Sequence, residues 1–272
     1  MDLVSGGDLR YHIGIQYRFT EKQAQFFIVC IVLSLEYLHN NNIIHRDLKP
    51  ENLVLDTNGY LKLTDLGVAR VFKEDNFQDT SGTPGYMAPE VMCRQNHTFA
   101  VDYYALGVIC YELMLGRRPY LGRNRKEIKE QILSKQVQIK RQEIPDGWSL
   151  EAADFINRLI QRKPANRLGF LGAKEIKSHP FLANIDWNKV LNQEMLAPYL
   201  PQDIQDNQEY IQQISVDGLE SNEELIQQNS ILLRKDSVQS LFAQYNYSVL
   251  NRKEIYTGST NNTNNTNSDR FL

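Results

Sequence analysis

Between Asn52 and Asp65 the chain reads NLVLDTNGYLKLTD, and this stretch restricts the fold more than any other. Leu53 and Leu55 alternate before an Asn-Gly pair, and Leu61 and Leu63 alternate after it, which is the pattern of a strand, a tight turn and a second strand. A hairpin returns the chain to its starting point. Asn52, just before the first strand, and Asp65, just after the second, must therefore emerge at one end, and both carry hard oxygen atoms of the kind that share a magnesium ion. Immediately upstream, NIIHRDLKPENLVL sets a histidine, an arginine, two acids, a lysine and an asparagine between two apolar runs. Asp47 lies in a loop expected to wrap back toward Asn52, with Lys49 between them, so that an acid, a cation and a metal pair converge.

The rest of the chain supplies a helical body. TEKQAQFFIVCIVLSLEYLHN, from Thr20 to Asn40, opens on a threonine cap and carries apolar residues on more than one helical face, which predicts a helix buried in a domain centre. VDYYALGVICYELMLG, SLEAADFINRLIQ and AKEIKSHPFL are further helical candidates, punctuated by Gly116, Pro145, Pro164 and Gly169. The expectation is a mostly helical body with one small hairpin. Beyond Phe181 the apolar periodicity thins and Gln and Asn accumulate, as in an extended tail laid over a folded body. The final TGSTNNTNNTNSDRFL has too little apolar surface to offset its ordering entropy and is expected to be disordered.

Composition excludes several classes. At 272 residues, 42% hydrophobic and 23% charged, with a formal charge of -3, the chain has no global bias toward nucleic acid or anionic membrane. Cys30, Cys93 and Cys110 show no CxxC or metal-ligand spacing and read as reduced thiols. The start has neither a signal-peptide pattern nor a glycine at the second position, and no run reaches a membrane span, so the expected location is the cytoplasm, with the nucleus left open.

HRDLKPEN resembles the catalytic loop of eukaryotic protein kinases, DLG stands where that family usually has DFG, and GTPGYMAPE follows in order. The resemblance implies an α+β, predominantly α fold: the large, C-terminal lobe of a protein kinase, with a small β-hairpin at the active site and an extended tail. It also implies roles. Asp47 accepts the substrate hydroxyl proton, Lys49 neutralises charge on the transferred phosphoryl group, and Asn52 and Asp65 hold Mg2+. Lys49-Pro50-Glu51 and Thr83 resemble the serine/threonine branch. Leu66, replacing the usual aromatic, is expected to pack beneath His45. Glu90 and Arg167 match a family ion pair that ties down the activation segment, and Asp102 matches the acid that braces the catalytic loop.

The opening MDLVSGGDLRYHI is similar to the hinge and following helix of the AGC group, which includes the cAMP-dependent protein kinase. The ATP side of the site then comprises Asp2, Val4, Asp8, Glu51, Asn52, Val54 and Asp65, with Asp2 and Val4 meeting adenine through the backbone, Asp8 facing the ribose and Val54 flooring the pocket. By the same resemblance residues 1–181 form the lobe, 182–256 an AGC-like extension and 257–272 a disordered tail. Phe242, Tyr245 and Tyr247 resemble the closing hydrophobic motif of that extension. Asp79 falls where many members carry a phosphorylated threonine and could pair with Arg46, while Thr80 and Ser81 are candidate phosphosites for an upstream kinase. Glu51 and Glu112, with Asp8, match positions that contact substrate arginines, which implies protein substrates with Ser or Thr near basic residues.

A complete kinase also needs a glycine-rich loop, a lysine from a V-A-I-K-type strand and a partner glutamate. No two glycines in this sequence are separated by a single residue, so no GxGxxG is present, nor is GxxxxGK[ST]. The sequence starts at the hinge, and the polypeptide as given is expected to transfer phosphate poorly. The alternative expectation is a non-catalytic kinase-like module that binds partners through its activation segment and acidic cleft.

Overall fold

The computed structural model describes residues 4–201. Asp2, the motif at Phe242, Tyr245 and Tyr247, and the Asn/Thr-rich end lie outside the described residues. Eight helices are described: α1 (Leu9–Gln16), α2 (Glu21–Asn40), α3 (Pro89–Met92), α4 (Ala100–Leu115), α5 (Arg125–Ser134), α6 (Leu150–Leu159), α7 (Ala173–Lys177) and α8 (Trp187–Leu191). Four short strands, β1 (Ile43–Ile44), β2 (Leu53–Leu55), β3 (Leu61–Leu63) and β4 (Arg70–Val71), form two antiparallel pairs, β1 with β4 and β2 with β3.

The long helix begins where the sequence places it. Thr20 Oγ1 accepts from the Gln23 N–H at 3.3 Å while Gln23 Oε1 accepts from the Thr20 N–H at 3.0 Å, so two orphan donors of the first turn are satisfied reciprocally. Phe27, Ile28, Val29, Ile31 and Val32 of α2 are all buried, on more than one face. Every residue of α4 is buried, so α4 is the axis of the body rather than an amphipathic cover. α6 crosses it at Gly107, where a Cβ would come within 2.6 Å of Leu159. The left-handed Gly116, φ 71°, then ends α4 and donates to the Glu112 carbonyl.

The hairpin pairs Leu53 with Leu63, Val54 with Lys62 and Leu55 with Leu61. Its turn is held by Asp56, whose Oδ1 accepts from the N–H groups of Asn58 and Tyr60 at 3.0 and 2.9 Å. One hairpin was expected; the structure adds a second sheet, with Ile43 opposite Val71 and Ile44 opposite Arg70. This pair matters for the site, because β1 leads into His45 and β4 follows Asp65, so both ends of the charged segment are pinned. On the other edge of the hairpin, the Gly6 N–H donates to Leu55 O and the Leu55 N–H to Gly7 O, each at 2.9 Å.

The segment after Phe181 does lie on the body as far as Pro201. Tyr60 Oη donates to Met195 O at 2.6 Å, and the Tyr199 ring stands edge-on to His12, Phe19 and Phe27. His12 is buried between Tyr199 Oη (Nδ1, 2.8 Å) and Gly6 O (Nε2, 2.6 Å), an arrangement that fits the neutral ring, and burial lowers its pKa.

Candidate active site

The charged loop is organised from below by Asp102, which α4 presents in full burial. Its Oδ2 accepts from the His45 N–H at 2.9 Å and its Oδ1 from the Arg46 N–H at 2.8 Å, while His39 Nε2 lies 2.8 Å from Oδ2. Burial alone would raise the pKa of this carboxyl; the hydrogen bond and charge of His39, with help from the loop, overcome it and hold the group ionised. The brace expected at Asp102 is therefore formed, and His39 is an unanticipated part of it. Buried His45 lies 3.1 Å through Nε2 from Thr64 O and accepts from the Asp47 N–H at 3.3 Å through Nδ1, linking the loop to the strand that leads to Asp65.

Asp47 stands at the loop's tip with all its partners nearby. Oδ1 accepts from both the N–H and the hydroxyl of Thr83, at 2.8 and 2.7 Å, and Oδ2 lies 2.8 Å from Lys49 Nζ. Lys49 Nζ also donates to Thr83 Oγ1 at 3.1 Å. Partial burial opposes ionisation of Asp47, but Lys49 and Thr83 outweigh it and set its pKa below the ordinary carboxylate value. Thr83, which the sequence marks only by its position before APE, thus bridges the acid and the cation.

Asn52 Nδ2 donates to Asp47 O at 2.8 Å and to Asp47 Oδ2 at 3.3 Å, which commits its amide nitrogen to the loop. The Asn52 carbonyl accepts from the Thr64 N–H and Oγ1, so Asp65, the next residue, emerges beside Asn52 as the hairpin argument requires. Asp65 is exposed, has φ 66°, and caps Gly67 through Oδ1. Val54 forms an isolated bridge with Asp8, whose Oδ1 caps α1 at the Tyr11 N–H, so Asp8, Val54 and Asn52 share one edge of the hairpin; Val4 is half-buried just upstream.

One expectation changes. Leu66 does not pack beneath His45: it is 56% exposed and lines an open apolar depression with Leu33, Tyr37, Leu63 and Leu191. The left-handed turn at Asp65, φ 66°, precedes this exposed side chain. Glu51 and Glu112, the acids expected to meet substrate arginines, are bound to Arg10 of α1 in the structure, with Nε 3.0 Å from Glu51 and Nη1 2.8 Å from Glu112.

Further contacts tie the activation segment to the body. Arg167, fully buried, makes a bidentate pair with Glu90 at 2.7 and 2.9 Å, as expected. Arg46 donates to Val68 O and faces Asp79 at 3.5 Å, the pairing its charge allows. Asn76 is locked to the His97 backbone by two hydrogen bonds.

Residues 1–182 match the family model described as protein kinase domain. The chain is 40% identical over 203 residues to a probable serine/threonine-protein kinase of Dictyostelium discoideum, covering 74% of this chain and 43% of that protein. It is also 40% identical over 205 residues to ribosomal protein S6 kinase 2 alpha of Gallus gallus and to ribosomal protein S6 kinase alpha-1 of Homo sapiens, in each case covering 74% of this chain and 27% of the relative. The chain thus spans less than half the length of these relatives.

Proposed function

The chain belongs to the protein kinase domain family, and from that premise we propose that it transfers the γ-phosphoryl group of ATP to serine or threonine hydroxyls of protein substrates. The observation that carries this is the junction of Asp47, Lys49, Thr83 and Asn52: an acid held as a carboxylate, a cation 2.8 Å away, and a threonine of the activation segment bonded to both. A binding module has no chemical need for this set. The serine/threonine names of the relatives support the choice of hydroxyl.

Asp47 orients the incoming hydroxyl and accepts its proton. Because its pKa is depressed, it is a weak base, and the proton moves late, once the oxygen has begun to bond to phosphorus. Lys49 meets charge on the transferred group, and Thr83 fixes both side chains in register. Asn52 and Asp65 are the residues that would hold Mg2+. Asn52 offers an amide oxygen and Asp65 a carboxylate, hard oxygen donors whose chemistry fits magnesium. When bound, the ion screens the negative charge of the phosphates.

A polypeptide of these 272 residues alone contains no GxGxxG loop and no V-A-I-K-type lysine, and on this reading its transfer is weak. No described helix is long and apolar enough to cross a membrane, and a cytoplasmic or nuclear location belongs to the same reading. The test compares the protein isolated at its native length from its own cells with an Asp47→Asn variant, in Mg2+ and labelled ATP with serine peptides. Loss of about 10²- to 10⁴-fold in turnover is expected, the usual contribution of a positioned acid or base. Undiminished transfer by the variant would refute the assignment.

A further inference from the structure

Arg10 joins four elements at one point. Its Nε donates to Glu51 Oε1 at 3.0 Å, Nη1 to Glu112 Oε1 at 2.8 Å and Nη2 to Glu112 Oε2 at 3.1 Å, with Nη2 also on the Tyr86 hydroxyl. Tyr86 Oη in turn donates to Glu112 Oε2 at 2.7 Å. Both oxygens of Glu112 are thus taken in the paired geometry by which a guanidinium binds a carboxylate most firmly. The cluster adjoins the reacting end of the site: Glu51 lies one residue before Asn52, and the Tyr86 N–H donates to the carbonyl of Thr83, whose hydroxyl holds Asp47.

We propose that Arg10 is a resident occupant of an acidic subsite in the substrate cleft, and that it removes most of the preference for a basic side chain that Glu51 and Glu112 would otherwise confer at the position facing them. This rests on the reading that the Asp47 cleft receives a peptide. Glu112 has only 7% of its side chain exposed behind Arg10, whereas Arg10 and Glu51 are 34% and 43% exposed. An arriving arginine therefore meets Arg10 first. To reach Glu112 it must displace a guanidinium carried on the same chain, which acts at an effective concentration of the order of millimolar. Leu9, fully buried, and the Asp8 cap hold α1 so that Arg10 stays over the acids. Within the cluster one positive charge offsets one of two negative charges, and Arg118, 5.7 Å from the centre of the Tyr86 ring, adds a second cation nearby. What remains is too little charge to recruit a basic side chain strongly.

The test has two arms, on the protein at its native length and on its Arg10→Ala variant. In the first, agmatine, a free guanidinium ligand, is titrated by calorimetry: Arg10→Ala is expected to bind one equivalent, with loss of that binding in Arg10→Ala/Glu112→Gln, and the unaltered chain none. In the second, kcat/KM is measured for serine peptides that carry arginine or alanine at each position before the serine. The unaltered protein should favour arginine by less than about threefold at the position that responds to Glu112, and Arg10→Ala by about tenfold or more, the scale of one desolvated charge-assisted contact. Should Arg10→Ala fail to fold, Arg10→Gln serves for both arms. A tenfold arginine preference in the unaltered protein that Glu112→Gln removes would overturn the proposal, as would variants that gain neither agmatine binding nor arginine preference. Absence of transfer by every form would refute the kinase reading instead, while the agmatine arm would still decide whether Arg10 fills a guanidinium site.

Discussion

Arg167→Ala is the perturbation whose cost the structure fixes best. The guanidinium is fully buried; besides its two bonds to Glu90 it donates to Gln161 O at 3.0 Å and Ala100 O at 2.9 Å and stacks over the Tyr104 ring at 5.0 Å. Truncation strands the Glu90 carboxylate, only 3% exposed, with no compensating cation, and breaking a buried pair from one side costs about 3–5 kcal/mol. That is a large share of the roughly 5–15 kcal/mol by which a domain is stable. In urea, with a slope of about 2 kcal/mol/M for a body of this size, the midpoint should fall by about 1.5–2.5 M. Trp148 and Trp187 provide the fluorescence signal. Replacing both partners by Met should recover much of the loss, because an apolar pair of similar volume leaves no unpaired charge. A midpoint shift below about 0.5 M for Arg167→Ala, or a double variant as unstable as the two single costs summed, would refute the reasoning.

Two further outcomes follow from burial. Cys110 is fully enclosed, which pushes its thiol pKa well up, and burial pushes Cys30 up to about 11, so at pH 8 a thiol reagent should modify Cys93 first and reach the other two only on unfolding, as peptide mapping would show. His12 and His179 are held below the ordinary 6.5 by burial, so the unfolded chain takes up their protons first; their contribution is complete above about pH 6.5 and is lost as pH falls through their folded values, and a urea midpoint that rose between pH 7.5 and 5.5 would contradict this.

The parts of the fold that were legible in the sequence are those where one local rule dominates. Thr20 to Asn40 combines a cap with apolar residues on several faces, and Asn58-Gly59 between alternating leucines admits only a tight hairpin. α5 escaped because only Ile128 and Ile132 are buried along it, too few to show a period. The β1–β4 pair escaped because two-residue strands have no periodicity at all. Leu66 was misplaced because its burial depends on what covers it, not on its own neighbours in sequence. Arg10 was invisible for a related reason: its partners lie 41 and 102 residues away, and a guanidinium on an exposed helical turn is ordinarily solvated.

The site also depends on backbone states that residue types do not announce. Arg46 and Asp65 both adopt positive φ, 71° and 66°, which costs a residue other than glycine about 1 kcal/mol or more. At Arg46 the two backbone N–H groups delivered to Asp102 offset that strain, and the turn so formed is what brings Asp47 round to Thr83 and Asn52. Asp102 can do this only because α4 is buried along its whole length and cannot shift without opening the core. The geometry of the acid is therefore set by the packing of α4 against α2 and α6. Substitutions at Gly107 or Leu159, with no contact to the loop, should disturb Asp47 by the same route as a change at Asp102, though less severely, because they move the helix that carries the brace and leave the brace itself in place.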